Sequence, residues 1–247
     1  MTSIGAVPEP WPGGPPAAAV APPLSLSFPA GAEDIAIRIA DAMAVLDPAL
    51  VLLFGTPAGG MAALGADLRR LLGTDCRVVG CSSAGEIGPC GYAAATITAV
   101  GLPSSSFRVG TCVLRDQALV PASEWMAVLR RFHGDFRPDL RRSIFGVLLP
   151  DAHARQEDVL TATLDAAIPG LPVVGGSSAE GLTFAPSCQM IDGAVHDGAA
   201  LFLLIETDLA VAEVLFSHFS PTDRRAVVTA ADPHNRIILE LNAEPAA

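Results

Sequence analysis

Ser82 and Ser83, with Cys81 before them and Glu86 after, form one compact string of hydroxyl, thiol and carboxylate groups; Gly176, Ser177, Ser178 and Glu180 form a second. Serine hydroxyls and free backbone amides donate hydrogen bonds to carboxylates and other anionic groups, and glycine lets the backbone approach a ligand closely. That chemistry suits recognition of a small polar molecule. The two strings belong to a repeat: Val78–Ala84 and Val173–Ala179 lie 95 residues apart and agree at six of seven positions. So long a period implies two fused halves and a pseudo-symmetric fold.

Other chemistries are present in outline. Asp151, His153 and Ser178 include the residue types of an orienting acid, a base and a nucleophile, as in a serine hydrolase. Cys81 has Glu86 nearby, but the first half supplies no histidine to activate it, so a structural thiol is expected. His218, in Phe216-Ser217-His218-Phe219, has aromatic neighbours that could flank a flat cofactor, and a lone histidine can ligate haem iron. Nucleotide motifs fail: Gly55 to Gly60 has the spacing of a phosphate loop, but Met61 follows where lysine is needed. Gly80 to Ala84 lacks the last glycine of a nucleophile elbow.

The elements that must position these residues follow from periodicity. Glu33 to Leu46 carries Ile35, Ile39 and Met43 on one helical face, and Leu50 to Phe54 is a short apolar run suited to a buried strand. Met61 to Leu72 reads as a helix stopped by Gly73, and Arg77 to Gly80 as the returning parallel strand. The second half repeats this with a strand at Ile144–Leu149, a helix at Gln156–Ile168 and a strand at Pro172–Gly175. Both strands of a parallel crossover point the same way, so the turns that follow them share one edge of the sheet. This places Gly55 to Gly60 beside Ser82 and Ser83, and Asp151 and His153 beside Ser177 and Ser178. Ala93–Gly101 with Phe107–Leu114, and Gln189–Val195 with Ala199–Glu206, read as hairpins, with a further strand at Val211–Phe216. A helix capped by Ser123 spans Glu124–Phe132. The expected class is α/β, with mixed sheets built from two duplicated β-α-β-β units, about 48–115 and 142–216, and a C-terminal ribbon over about 225–242. Residues 1–23 are rich in proline and alanine and are expected to form a disordered leader before a domain spanning 24–247.

Composition narrows the partners. A formal charge of −11, from 26 acids and 15 bases, opposes nucleic acid, whose phosphates need clustered positive charge. Every base is arginine, and with the abundant alanine and proline this reads as the compositional bias of a GC-rich bacterium. Five cysteines without a C-x-x-C pair indicate neither a disulfide framework nor a zinc site. No cationic, apolar leader and no apolar run of membrane length is present, so a cytoplasmic protein without membrane insertion is expected.

Val-Val-Gly-Cys-Ser-Ser-Ala-Gly-Glu-Ile at Val78 to Ile87 resembles the signature of the FIST domain, a sensory module of bacterial signalling proteins also found in some eukaryotic F-box proteins. Val173 to Gly181 resembles its second glycine-rich segment. Phe219-Ser220-Pro221, Val227 to Ala230 and Glu240 to Ala246 look like the stretch that ends the family's N-terminal part. The resemblance implies a non-enzymatic small-ligand sensor, with amino acids the usual proposed ligands, a haem-binding, nitric-oxide-sensing branch, and signalling proteins as partners. No cofactor is expected on the leading reading. Members usually continue into a C-terminal FIST domain, and the chain stops where that would begin; strand edges left bare would favour self-association.

Overall fold

A computed structural model describes residues 21–55, 58–115, 119–139, 141–179, 187–214, 219–233 and 235–246. The first half runs β1 (Leu24–Pro29), α1 (Ile35–Ala44), β2 (Pro48–Gly55), α2 (Ala58–Leu72), β3 (Arg77–Ser82), β4 (Glu86–Gly88), β5 (Gly91–Ala93) and β6 (Thr96–Pro103). The second runs β7 (Phe107–Leu114), α3 (Ala122–Phe136), β8 (Ser143–Pro150), a 3-10 turn at Ala152–Ala154, α4 (Glu157–Ala167), β9 (Val173–Gly175), β10 (Gln189–Ile191), β11 (Ala194–Val195) and β12 (Ala200–Thr207). A separate unit from Ala212 onward holds β13 (Val228–Asp232), β14 (Ile237–Leu241) and β15 (Glu244–Pro245) as an antiparallel sheet.

Two mixed sheets organise the two halves. One has the order β1-β6-β2-β3-β10-β11 and the other β7-β12-β8-β9. The first four strands of each match in order and direction, since β2–β3 and β8–β9 are parallel and their other neighbours antiparallel. Even the register repeats: Leu52 pairs with Val79, and Val147 with Val174, each 95 positions on. The arrangement that occurs twice is therefore β-α-β-α followed by four strands, starting one strand and one helix earlier than the sequence pattern suggested.

The layers follow from which faces are apolar. Ile35, Ile39 and Met43 of α1, with Met61, Leu64 and Leu68 of α2, bury against one face of the six-stranded sheet. Leu129, Leu160 and Leu164 of α3 and α4 cover the outer face of the other sheet around Phe202. Leu50, Leu52, Val79, Leu149, Leu201 and Leu203 fill the space between the sheets. Helices, sheet, sheet, helices is thus the order of layers. The β2, β8 and β12 strands lie deep and carry near-continuous apolar runs, as strands covered on both faces must. Among the described residues no helix is long and apolar enough to cross a membrane.

Several local expectations are corrected. β6 and β7 do not pair with each other; β6 lies between β1 and β2, whereas β7 joins β12 in the other sheet. Likewise β10 turns back onto β11 at Asp192–Gly193 and joins the first sheet, while β12 joins the second. Residues 211–214 form no strand, and 215–216 lie outside the described residues. Pro121 stands at the N-cap of α3, which begins ahead of Ser123. At the end of β12 the buried carboxylate of Glu206 receives Arg108 Nε and Nη2 at 3.1 and 2.8 Å, Arg142 Nη1 at 3.1 Å and the Asp139 amide at 2.7 Å.

Candidate functional site

Both glycine–serine turns emerge where parallel pairing requires. Gly55 is level with Ser82, and the Ser83 amide donates to the Gly55 carbonyl at 3.3 Å. In the second half Asp151 bridges to Ser178, whose amide donates to the Pro150 carbonyl at 2.9 Å. The turns then meet each other. The Ala179 amide donates to the Ser82 carbonyl at 3.2 Å, the Ser82 amide to the Cys188 carbonyl at 2.8 Å, and the Cys188 amide to Ser82 Oγ at 2.9 Å.

This meeting consumes most of the hydroxyl chemistry. Ser82 is fully buried and Ser178 nearly so. Ser178 Oγ contacts the Pro150 carbonyl at 3.2 Å and the Gln189 side chain. The Gln189 amide is best oriented with its oxygen toward Ser178 Oγ and the Asp151 amide and its nitrogen toward the His196 carbonyl, because only that orientation satisfies donors and acceptors alike. Ser187 Oγ donates to Asp151 Oδ1 at 2.7 Å. The result is a polar clasp joining the halves. Replacing Ser82 with alanine removes the buried hydroxyl that accepts the Cys188 amide, so a loss of about 1–3 kcal/mol in unfolding free energy is expected from chemical denaturation.

The remaining residues fall in several places. Cys81 lies between the sheets, where burial, with Cys188 adding to it, pushes the thiol up to about 12, far from the low value of an activated thiol. Glu86 is buried and accepts from Ser83 Oγ at 2.7 Å, Thr96 Oγ1 at 2.5 Å and the Thr96 amide at 3.2 Å. Gly176 and Ser177 are exposed, with Ser177 Oγ 3.3 Å from Glu157. Asp151 and His153 do come together, with His153 Nδ1 at 3.4 Å from Oδ1. Ser178 Oγ, however, is held on Pro150 and Gln189 rather than presented to that pair. Glu180 and His218 lie outside the described residues. Among the described residues no group of three His, Cys, Asp or Glu side chains could hold a metal ion.

A cleft that the sequence did not announce lies beside the first turn, between α1 and α2. It has a volume of about 400 Å³ and is lined by Asp34, Ile35, Ala36 and Ile37 on one side and by Gly60, Met61, Leu64, Asp67 and Arg70 on the other. Asp34, in a left-handed conformation with φ 54°, makes no side-chain cap, and the first turn of α1 has no acidic residue. The N-terminal turn of α1, which lines the cleft, thus has no capping carboxylate on its amides. Arg70 Nη2 lies 3.1 Å from Asp67 Oδ1, and both are largely exposed. A cation, two carboxylates and a helix N-terminus thus converge on an apolar floor. Neither spacing nor composition marks Arg70, because an Asp-x-x-Arg pair on a helix reads as a solvated face.

A search of curated proteins gives no match. Among solved structures, the crystal structure of cyanuric acid hydrolase from A. caulinodans resembles this chain at 10% identity and a TM-score of 0.35, over 70% of this chain and 63% of that one. This chain therefore spans less than two thirds of that hydrolase. The description of the FIST N domain matches residues 49–244. The match takes in both glycine–serine turns, the clasp between them and most of the chain, and the protein therefore belongs to the FIST family, whose domains sense small ligands in signal transduction.

Proposed function

We propose that this chain is a cytoplasmic, non-enzymatic sensor that takes an amino acid or a similar small carboxylate into the cleft between α1 and α2 and reports its occupancy to a signalling protein. The observation that carries this reading is the convergence of opposite charges on an apolar cleft of ligand size. A carboxylate would meet the open amides of α1 and the Arg70 guanidinium, both suited to anions. An ammonium group would meet Asp34 or Asp67. The apolar floor formed by Ile35, Met61 and Leu64 would receive a side chain.

Response follows from what the two helices hold. α2 packs against Met190 and the β10–β11 turn, so a ligand that fixes the spacing of α1 and α2 acts on the strand pair contributed by the second half. Such a ligand shifts the protein only by its differential affinity for the two arrangements. The buried serines then serve as the joint between halves, and the cleft serves as the receptor.

A thermal-shift screen with the amino acids and with short mono- and dicarboxylates tests the assignment. At 100 times its dissociation constant a ligand stabilises the folded state by about 2.7 kcal/mol, which for a chain of this length is about 5–10 °C in Tm. The Arg70→Ala variant is expected to fold normally and to lose the shift. No shift with any of these compounds, or a full shift retained by Arg70→Ala, would overturn the assignment.

A further inference from the structure

The two halves differ at one edge. In the first sheet β10 pairs with β3 through Gln189–Cys81, Met190–Gly80 and Ile191–Val79, and β11 lies beyond it. Met190 is fully buried over Gly65 of α2, where any Cβ would collide with its Sδ. The tip of the hairpin rests on the same helix, since a Cβ on Gly193 would lie 2.7 Å from that of Ala66. In the second sheet β9, the counterpart of β3, is the last strand among the described residues.

The surface beside β9 is the counterpart of the one that Met190 fills. Leu64 and Leu68 of α2 correspond to Leu160 and Leu164 of α4, which sets Thr161 at the position of Gly65 and Ala162 at that of Ala66; because Thr161 carries a Cβ where Gly65 has none, this groove has room only for a side chain shorter than that of Met190. Two cavities of about 240 and 270 Å³ adjoin there, sharing Thr161 and Val173 as lining. Leu164 and Ile168 line the second, and Val174 of the open strand is half exposed.

The matching hairpin also exists in the chain. β4 and β5 turn through two residues, Pro89 and Cys90, as β10 and β11 turn through Asp192 and Gly193. Ile87 faces Tyr92 as Met190 faces Val195, and the preceding residues, Glu86 and Gln189, are both buried. Yet Ile87 is 80% exposed and Tyr92 72%, against zero for Met190. β4 and β5 form a two-stranded sheet of their own, with Gly88 set against Ser27 and Thr98 on the first sheet, and β9 is not among their partners. Among the described residues, an apolar hairpin without a groove and an apolar groove without a hairpin are thus the two parts of a contact of the kind that the first sheet makes within one molecule.

We infer that the groove formed by β9 and α4 receives the β4–β5 hairpin of a second copy of this chain, with β4 adding antiparallel to β9 in the register Ile87 to Gly175 and Gly88 to Val174. Backbone hydrogen bonds from the open edge supply affinity in this mode, and side chains entering the groove supply specificity. Each copy gives one hairpin and takes one. The inference does not depend on the α1–α2 cleft, and its test reads association rather than ligand binding.

Sedimentation velocity of the full chain over a range of concentrations is expected to show reversible self-association. Ile87→Arg, at an exposed position, is expected to leave the Tm of the monomer, measured at low concentration, unchanged and to weaken association at least tenfold. By the same correspondence Cys90 of one copy falls next to Ala162 of another. Both carry a Cβ, so the turn of one copy must sit about 1 Å farther from α4 of the other than Gly193 does from Ala66, which is the Cβ separation a disulfide needs. Ala162→Cys is then expected to give a disulfide-linked dimer on a non-reducing gel that disappears when Cys90→Ser is added. A monomer at every concentration, association unaffected by Ile87→Arg, or a cross-link that survives Cys90→Ser would each overturn the inference.

Discussion

Met190→Ala is expected to lower the unfolding free energy by about 2–5 kcal/mol, the range for emptying a buried site that can close only partly. Met190 is wholly enclosed between β3 and α2, and its Sδ accepts the Gly193 amide at 3.1 Å. Closure is restricted because the opposing position is Gly65, which has no side chain to move into the gap, and because β10 is pinned to β3 by its ladder. The counterpart change, Ile87→Ala, is expected to alter folding stability by less than about 0.5 kcal/mol, as for other exposed sites. Urea denaturation of the two variants at a concentration where the protein is monomeric measures the contrast. Equal losses would mean that the hairpins are not counterparts.

Glu206→Gln should be the other strongly destabilising change. The Glu206 carboxylate is almost fully buried, and its hydrogen bonds from Arg108 come first in holding its pKa below the ordinary value, aided by the Asp139 amide and the charge of Arg142. Removing one member of a buried ion pair costs about 3–5 kcal/mol, but Arg108 is 42% exposed and Arg142 23%, so solvent screens part of this and about 2–3 kcal/mol is expected. The pH dependence has a definite sign. A depressed carboxylate pKa contributes stability that is complete above the ordinary value and is lost as pH falls through the folded value. Unfolding free energy of the parent protein should therefore decline below about pH 4.5. The Gln variant should start lower at neutral pH and show a shallower acid decline. A variant with the parent's acid limb would show that other carboxylates govern it.

What the sequence made legible was local. The crossovers β2–α2–β3 and β8–α4–β9 could be read because apolar runs and helical spacing are set within each segment, and parallel pairing then fixes where the following turns emerge. The fate of β6 and β7 could not be read. Only Ser104, Ser105 and Ser106 separate these strands, and an alternating pattern on either side of a short turn looks the same whether the strands pair or part. They part because β6 finds β1 and β2, and because Ser104 is tied to Asp47 by its amide at 2.9 Å and its hydroxyl at 2.6 Å. The serines show the same limit. Their place at the ends of the returning strands is evident from the sequence, but Ser82, the last residue of β3, spends its hydrogen bonds on Ala179 and Cys188, partners about a hundred positions away that no local pattern signals.

The β10–β11 hairpin belongs to the second half in sequence and to the first in space. A fragment ending at Pro103 would lack Met190 and leave one flank of its sheet uncovered, and a fragment beginning at Phe107 would carry a greasy hairpin parted from the β3–α2 surface that covers it. Neither half is a self-sufficient folding unit, so the repeated region should melt in a single cooperative step. A cut within Ser104–Ser106 would leave two pieces that hold together by interlocking rather than by covalent linkage.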